Sequence, residues 1–74
     1  MSRLPRPRGK EVIRALERIG FRVIRVKGSH RIMKHVDGRT VIVPLHSSEV
    51  IGPGLLREIL KQTELSAEEF GNLL

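Results

Sequence analysis

Gly28-Ser29-His30 stands between a basic, β-branched run from Arg22 to Lys27 and an alternating run from Arg31 to His35. Glycine lets a backbone turn tightly, a hydroxyl can lock that turn or donate to an oxyanion, and an imidazole titrating near about 6.5 carries a proton close to neutrality. These are the parts of acid–base chemistry. Arg22, Arg25, Lys27, Arg31 and Lys34 lie within a few residues of the histidine, so it is expected to face an anion such as a phosphodiester. A general acid or base held at a ribose 2′-hydroxyl or at a leaving oxygen contributes roughly 10² to 10⁴ in rate. His30 is therefore the candidate catalytic residue, and Gly28, Ser29, Arg25, Lys27, Arg31 and Lys34 are candidate contacts to a nucleic-acid backbone. The plain alternative for His30 is a partly buried ring that hydrogen-bonds its own turn.

His46, after Val43-Pro44-Leu45, is placed to reach the same surface, as a second acid–base group, a phosphate contact or an ordinary loop histidine. His35 falls on the opposite parity to His30 and reads as structural or as a solvent-facing phosphate contact. No metal or cofactor is expected. The three histidines lack the helical i, i+4 spacing of a zinc site, the chain has no cysteine, and the acids gather in the C-terminal third. A Ser-His-Asp hydrolase is unsupported too, because Ser29 adjoins His30 and no orienting acid is evident. With two phenylalanines, no tyrosine and no tryptophan, stacking on aromatic platforms is not available for reading single strands. Recognition is expected to rest on phosphates and shape.

The formal charge of +6 is segregated. Residues 1–48 hold twelve Lys/Arg against Glu11, Glu17 and Asp37, a net of +9, while residues 49–74 hold Arg57 and Lys61 against five glutamates. A one-sided positive field attracts polyanions by counterion release, with an affinity that falls steeply with salt. A charge that served only solubility would be interspersed. The 74 residues make one small domain, and no apolar run approaches the roughly 20 residues of a membrane span. The basic N-terminus lacks the apolar stretch of a signal peptide, so the chain reads as soluble and cytoplasmic.

Residues 1–8, with Pro5 and Pro7 among arginines, are expected to form an extended basic arm outside the core, ahead of a single domain over 9–74. From Gly9, the spacing of Val12, Ile13, Leu16 and Ile19 predicts a helix capped by Gly20. Phe21 to Lys27 predicts a strand either covered on both faces or interrupted by a bulge. A second strand follows Gly28-Ser29, and Asp37-Gly38 predicts a tight primed turn into a third strand over Thr40 to Val43, ended by Pro44. After a polar loop over 45–52, Pro53 opens a second helix with the apolar stripe Leu55, Leu56, Ile59 and Leu60. Ser66 and Glu69 form a capping box for a short last helix carrying Phe70, Leu73 and Leu74. The fold class is α+β, in the α-β-β-β-α order of the double-stranded-RNA-binding fold: a three-stranded antiparallel sheet with its helices on one face.

Gly28-Ser29-His30-Arg31, Lys34-His35-Val36-Asp37-Gly38-Arg39, Val43-Pro44-Leu45-His46 and Pro53-Gly54-Leu55-Leu56-Arg57-Glu58-Ile59-Leu60-Lys61-Gln62 together resemble the HicA, or YcfA-like, family of toxins. The likeness runs from about Gly9 to Leu74. The resemblance implies a toxin of a type II toxin-antitoxin pair, an mRNA interferase with a double-stranded-RNA-binding-like fold whose partners are RNA and a HicB-type antitoxin. It also implies that His30 is the catalytic histidine, with Gly28 and Ser29 completing its motif, and it matches His46 to the Val-Pro-x-His string without assigning it a catalytic role. Many members carry an aromatic residue where Met33 stands. Two rival readings remain: a non-catalytic RNA-binding module using the same basic surface, and a DNA-binding subunit, which lacks a helix-turn-helix.

Overall fold

The computed structural model describes residues 4–46 and 49–74. Val12, Ala15 and Leu16 bury one stripe of α1 (Gly9–Glu17). Glu11 caps the start of this helix by accepting the Arg8 backbone N–H at 2.9 Å. Beyond its end, Gly20 takes φ +98°, a region that side-chain-bearing residues avoid. Three strands follow as an antiparallel meander in the order β1 (Arg22–Lys27), β2 (His30–Lys34) and β3 (Thr40–Pro44). Pro53 occupies the first turn of α2 (Pro53–Thr63), where its missing N–H is no loss. The Ser66–Glu69 capping box starts α3 (Ala67–Gly71). The architecture is the expected double-stranded-RNA-binding-like layout.

Met33 and its cross-strand partner Val41 are wholly buried, with Val43 beside them. Both long helices lean on β3, setting Val12, Leu16, Leu56, Ile59 and Leu60 against that face, with Phe21, Ile51 and Phe70 closing the edges. Each such side chain contributes about 1.5–3 kcal/mol by leaving water. Met33 is thus a core residue and does not stand on the surface beside His30.

The alternative left open for β1 resolves to the bulge, and three expectations need correction. β1 is not covered on both faces: all six of its residues are exposed, because the helices sit over β3. The bulge is present instead, since Val23 pairs with Met33 and Arg25 with Ile32, leaving Ile24 as the extra residue. The Asp37-Gly38 turn is not a two-residue primed turn. His35 pairs with Arg39 around a three-residue loop, closed by the Gly38 N–H on the His35 carbonyl at 2.9 Å, and only Gly38, at φ +101°, is left-handed. The cause is the Asp37 side chain, whose Oδ1 accepts the Arg39 N–H at 3.0 Å and holds an Asx-type turn. Leu55 is 42% exposed and lies outside the core stripe. Finally, the described part of the basic segment is not clear of the body. The Pro7 carbonyl accepts the Ile51 N–H at 2.8 Å, Arg8 bridges Val50, and Leu4 packs against the core. Residues 1–3 of the expected arm and residues 47–48 of the expected loop lie outside the described residues.

The second hairpin is also a clamp. The His35 Nε2 lies 2.9 Å from the Ile19 carbonyl and so carries the hydrogen, while Nδ1 accepts the Asp37 N–H at 3.1 Å. The ring meets Phe21 at a centroid distance of 5.1 Å, and the Arg39 guanidinium lies over the same Phe21 ring, 5.1 Å from its centroid. Arg39 also donates to the Asp37 carboxylate at 2.8 Å and to the Thr63 carbonyl at the end of α2. One turn thereby joins the ends of both long helices.

Two outcomes follow. A Cβ at Gly9 would run into the Pro44 carbonyl, so Gly9→Ala must push α1 from the end of β3; chemical unfolding should show a loss of about 1–3 kcal/mol. The Asp37 carboxyl is held below its ordinary value of 3.8, first by the Arg39 backbone N–H and then by the Arg39 side chain. Because the folded value is the lower one, its stabilisation is complete above the ordinary value and disappears as pH falls through the folded value. The stability gap between wild type and Asp37→Ala should therefore be constant near neutrality and close as pH falls from about 5 towards about 2.

Candidate active site

A two-residue connection, Gly28-Ser29, joins β1 to β2, with Lys27 and His30 as the closing pair. Gly28 takes φ +58° and Ser29 does not share it, the pattern of a type II′ turn, which matches the right-handed twist of the strands. The Ser29 carbonyl accepts the Leu45 N–H at 2.6 Å. That bond carries the ladder one residue past the His30–Pro44 pair and keeps the segment leading to His46 beside the turn. The Ser29 Oγ stands 3.5 Å from the His46 Nε2, the outer limit of a hydrogen bond.

His30 is exposed, and its ring makes no hydrogen bond or ion pair among the described residues. The alternative of a ring satisfied within its own turn therefore fails. Cross-strand pairing sets its neighbours, because directly paired residues share a face. Lys27 pairs with His30, Arg25 with Ile32 and Arg22 with Lys34, so Arg25, Lys27 and Lys34 share the open face with His30. Arg31 does not. It pairs with Val26 and with the buried Val43, starts from the core side, and bends its guanidinium to the Gly28 carbonyl at 3.1 Å, where it braces the turn. His35, in the clamp, also lies on the far side.

Two grooves meet at His30. One, of about 600 Å³, is shallow and lined by Lys27, Gly28, Ser29, His30, Ile32 and Ile42. The other, of about 400 Å³, lies between the open face of β3 and α2, where His30, Ile42 and His46 face Leu55, Glu58 and Gln62. His30 and Ile42 belong to both, so the grooves form one trough with the imidazole at the junction. Leu55, Glu58, Ile59 and Gln62 follow one helical stripe, a spacing visible in the sequence. That this stripe borders His30 is a tertiary fact, and residue-by-residue reading missed Glu58 and Gln62 for that reason. Among the described residues, no group of three His, Asp or Glu side chains could hold a metal ion, and no helix is long and apolar enough to cross a membrane.

An α-β-β-β-α domain whose three-stranded antiparallel sheet leaves His30, Arg25, Lys27 and Lys34 on its uncovered face defines a class: a double-stranded-RNA-binding-like domain. Comparison with known proteins narrows this. The family model described as HicA toxin of bacterial toxin-antitoxin matches residues 9–65, and the chain belongs to that family. It is a toxin of a toxin-antitoxin system, with an antitoxin as its partner. None of the curated proteins compared with it matches.

The two faces separate the cations into testable sets. Arg25→Ala and Lys27→Ala should each weaken binding to a single-stranded polyanion and lower the salt slope of log K by about 0.7. Arg31→Ala should leave that slope unchanged and instead lower the thermal midpoint, since its guanidinium serves the turn.

Proposed function

We propose that the protein is an endoribonuclease that cleaves messenger RNA in the cytoplasm, with His30 as the general acid or base. The observation that carries this reading is the exposed, unbonded His30 ring at the junction of two grooves, on the face that bears Arg25, Lys27 and Lys34. The family match supports the toxic role.

RNA carries its own nucleophile. When a base takes the proton of the 2′-hydroxyl, that oxygen attacks the adjacent phosphorus, the bond to the 5′-oxygen breaks, and the leaving oxygen receives a proton. His30 performs one of these transfers. Lys27 and Arg25, on the neighbouring strand, offset the charge that grows on the phosphate oxygens. The Gly28-Ser29 backbone and hydroxyl hold the turn beside the scissile linkage, and His46 contacts the phosphate from the other groove. The product is a 2′,3′-cyclic phosphate or its hydrolysed form, and no metal takes part. A HicB-type antitoxin would block the reaction by covering this face.

A second reading is favoured by one feature: among the described residues no hydrogen bond or ion pair orients the His30 ring, whereas catalytic bases are ordinarily held by a third group. On that reading the domain binds RNA without cutting it. One experiment separates the two. Purified wild type should cleave RNA to cyclic-phosphate ends in the presence of a chelator, and His30→Ala should be slower by roughly 10² to 10⁴. Intact RNA bound with a steep salt dependence would establish the binding module instead; full activity in His30→Ala, or loss of wild-type activity on chelation, would overturn the assignment.

A further inference from the structure

The groove between β3 and α2 has a composition unlike the rest of the open face. Its walls are the exposed apolar side chains of Ile42 and Leu55, 49% and 42% accessible. Its α2 rim carries Glu58 and Gln62, and His30 stands at its mouth. Glu58 is the informative residue. A carboxylate beside a site for an anionic backbone repels phosphate and can only accept hydrogen bonds, so its partner in this groove must be an uncharged donor or a cation. A volume of about 400 Å³ falls in the range of small-molecule sites. Two aliphatic side chains offer their surfaces to a flat apolar face, which aromatic residues do not supply here.

We propose that this groove is a base-reading subsite for the nucleotide next to the cleaved linkage, and that Glu58 and Gln62 make it prefer guanine. The proposal rests on the nuclease reading above. Single-stranded RNA is read at bases turned out of their stack, by hydrogen bonds to their Watson–Crick edges. Guanine is the base whose edge sets two adjacent donors, N1–H and the 2-amino group, beside an acceptor, O6. A carboxylate takes both donors with its two oxygens, and a neighbouring amide donates to O6. Glu58 and Gln62 are four residues apart on α2, which puts their side chains side by side. Uracil presents one donor between two acceptors, and the carboxylate would face an acceptor. The same carboxylate could also receive a basic side chain of the antitoxin, which predicts a different result.

The test uses the purified full chain and short oligoribonucleotides differing only in the base flanking a single cleavable linkage, with inosine, which lacks the 2-amino group, as an additional base. Wild type should cleave the guanosine substrate at least about tenfold faster than the uridine one at one flank, with inosine falling between. Glu58→Gln and Gln62→Ala, both at exposed positions, should bring the guanosine-to-uridine ratio close to one while retaining the wild-type thermal midpoint. Cleavage by wild type with no base ranking, or the same ranking in Glu58→Gln, overturns the subsite and leaves the nuclease standing. An unchanged ranking combined with escape of Glu58→Gln from inhibition by the antitoxin would assign the groove to the protein partner and also overturn it. Failure of wild type to cleave any substrate removes the nuclease reading, and the subsite with it.

Discussion

Strand parity is the constraint on which the remaining structure depends. Successive residues of a strand face opposite sides of the sheet, and Met33 is fully buried against Val41. His30 lies three residues earlier, an odd separation, so a methionine in the core and a histidine on the open face are one geometric fact. Two turns hold the register: Gly28 at φ +58° closes β1 on β2, and Gly38 at φ +101° closes β2 on β3. A slip of one residue would exchange every side chain of β2 between faces. It would drive Lys34 into the core in place of Met33, where an unpaired ion costs several kcal/mol. The sheet therefore cannot keep its core and lose its open-face histidine.

The same parity divides the polar residues of the strands into two groups with different work. His35 and Arg31 leave β2 on the core side, and both are bonded: one to the Ile19 carbonyl, the other to the Gly28 carbonyl. Asp37 and Arg39 hold the second turn and reach the end of α2. His35, Asp37 and Arg39 stand away from the trough, and Arg31 meets it only at the Gly28 carbonyl that it braces. His30, Arg25, Lys27 and Lys34 leave on the other side, and the His30 ring is unbonded among the described residues. A string such as Lys34-His35-Val36-Asp37-Gly38-Arg39 looks chemical in one dimension because it is dense in ionisable groups. In three dimensions most of it is a brace, and the smaller string Gly28-Ser29-His30 is the one that leaves its imidazole exposed.

Helical and alternating periods made the element order, the Gly20 cap and the start of α2 at Pro53 legible in sequence, since each depends on neighbours within a turn or two. The β1 bulge was legible as an imperfect alternation. The form of the Asp37-Gly38 turn was not, because an Asp-Gly pair suits two turn types and the choice was made by a side-chain bond from Asp37 to the Arg39 amide. The docking of Pro7 and Arg8 depends on Ile51 and Val50, more than forty residues away, and no local pattern reports such a pairing. Leu55 illustrates the limit most sharply. Its spacing fits the apolar stripe of α2, yet Leu56, Ile59 and Leu60 fill the core and Leu55 is left lining the trough, an outcome that depends on how the helix packs. Glu58 follows from Leu55: once that flank of α2 is known to face the sheet edge, its carboxylate is part of the site.

A trough on an open sheet raises the question of how a domain this small could favour a reaction without an enclosed pocket. Water-filled grooves weaken charge–charge interactions, which at 4 Å fall from about 4 kcal/mol at an effective dielectric of 20 to about 1 kcal/mol in bulk water. The remedy lies in the exposed apolar residues Ile42 and Leu55 and the half-buried Ile32. They contribute little to the core, but they line the trough on both sides of His30, so any strand laid across them expels water where the cations meet the phosphate. In the proposed reaction the bound polymer would supply the lid that the fold lacks. The same arithmetic makes the face easy to occlude: an ordinary protein interface takes about 800 Å² from each partner, a small share of the 5062 Å² the chain exposes. On the proposed reading, a surface that becomes dry only when covered would be open to RNA and to the antitoxin by the same physics. The polar groups at the rim would then distinguish the two ligands, which would give the carboxylate on α2 a larger part in selectivity than the cations that attract every polyanion alike.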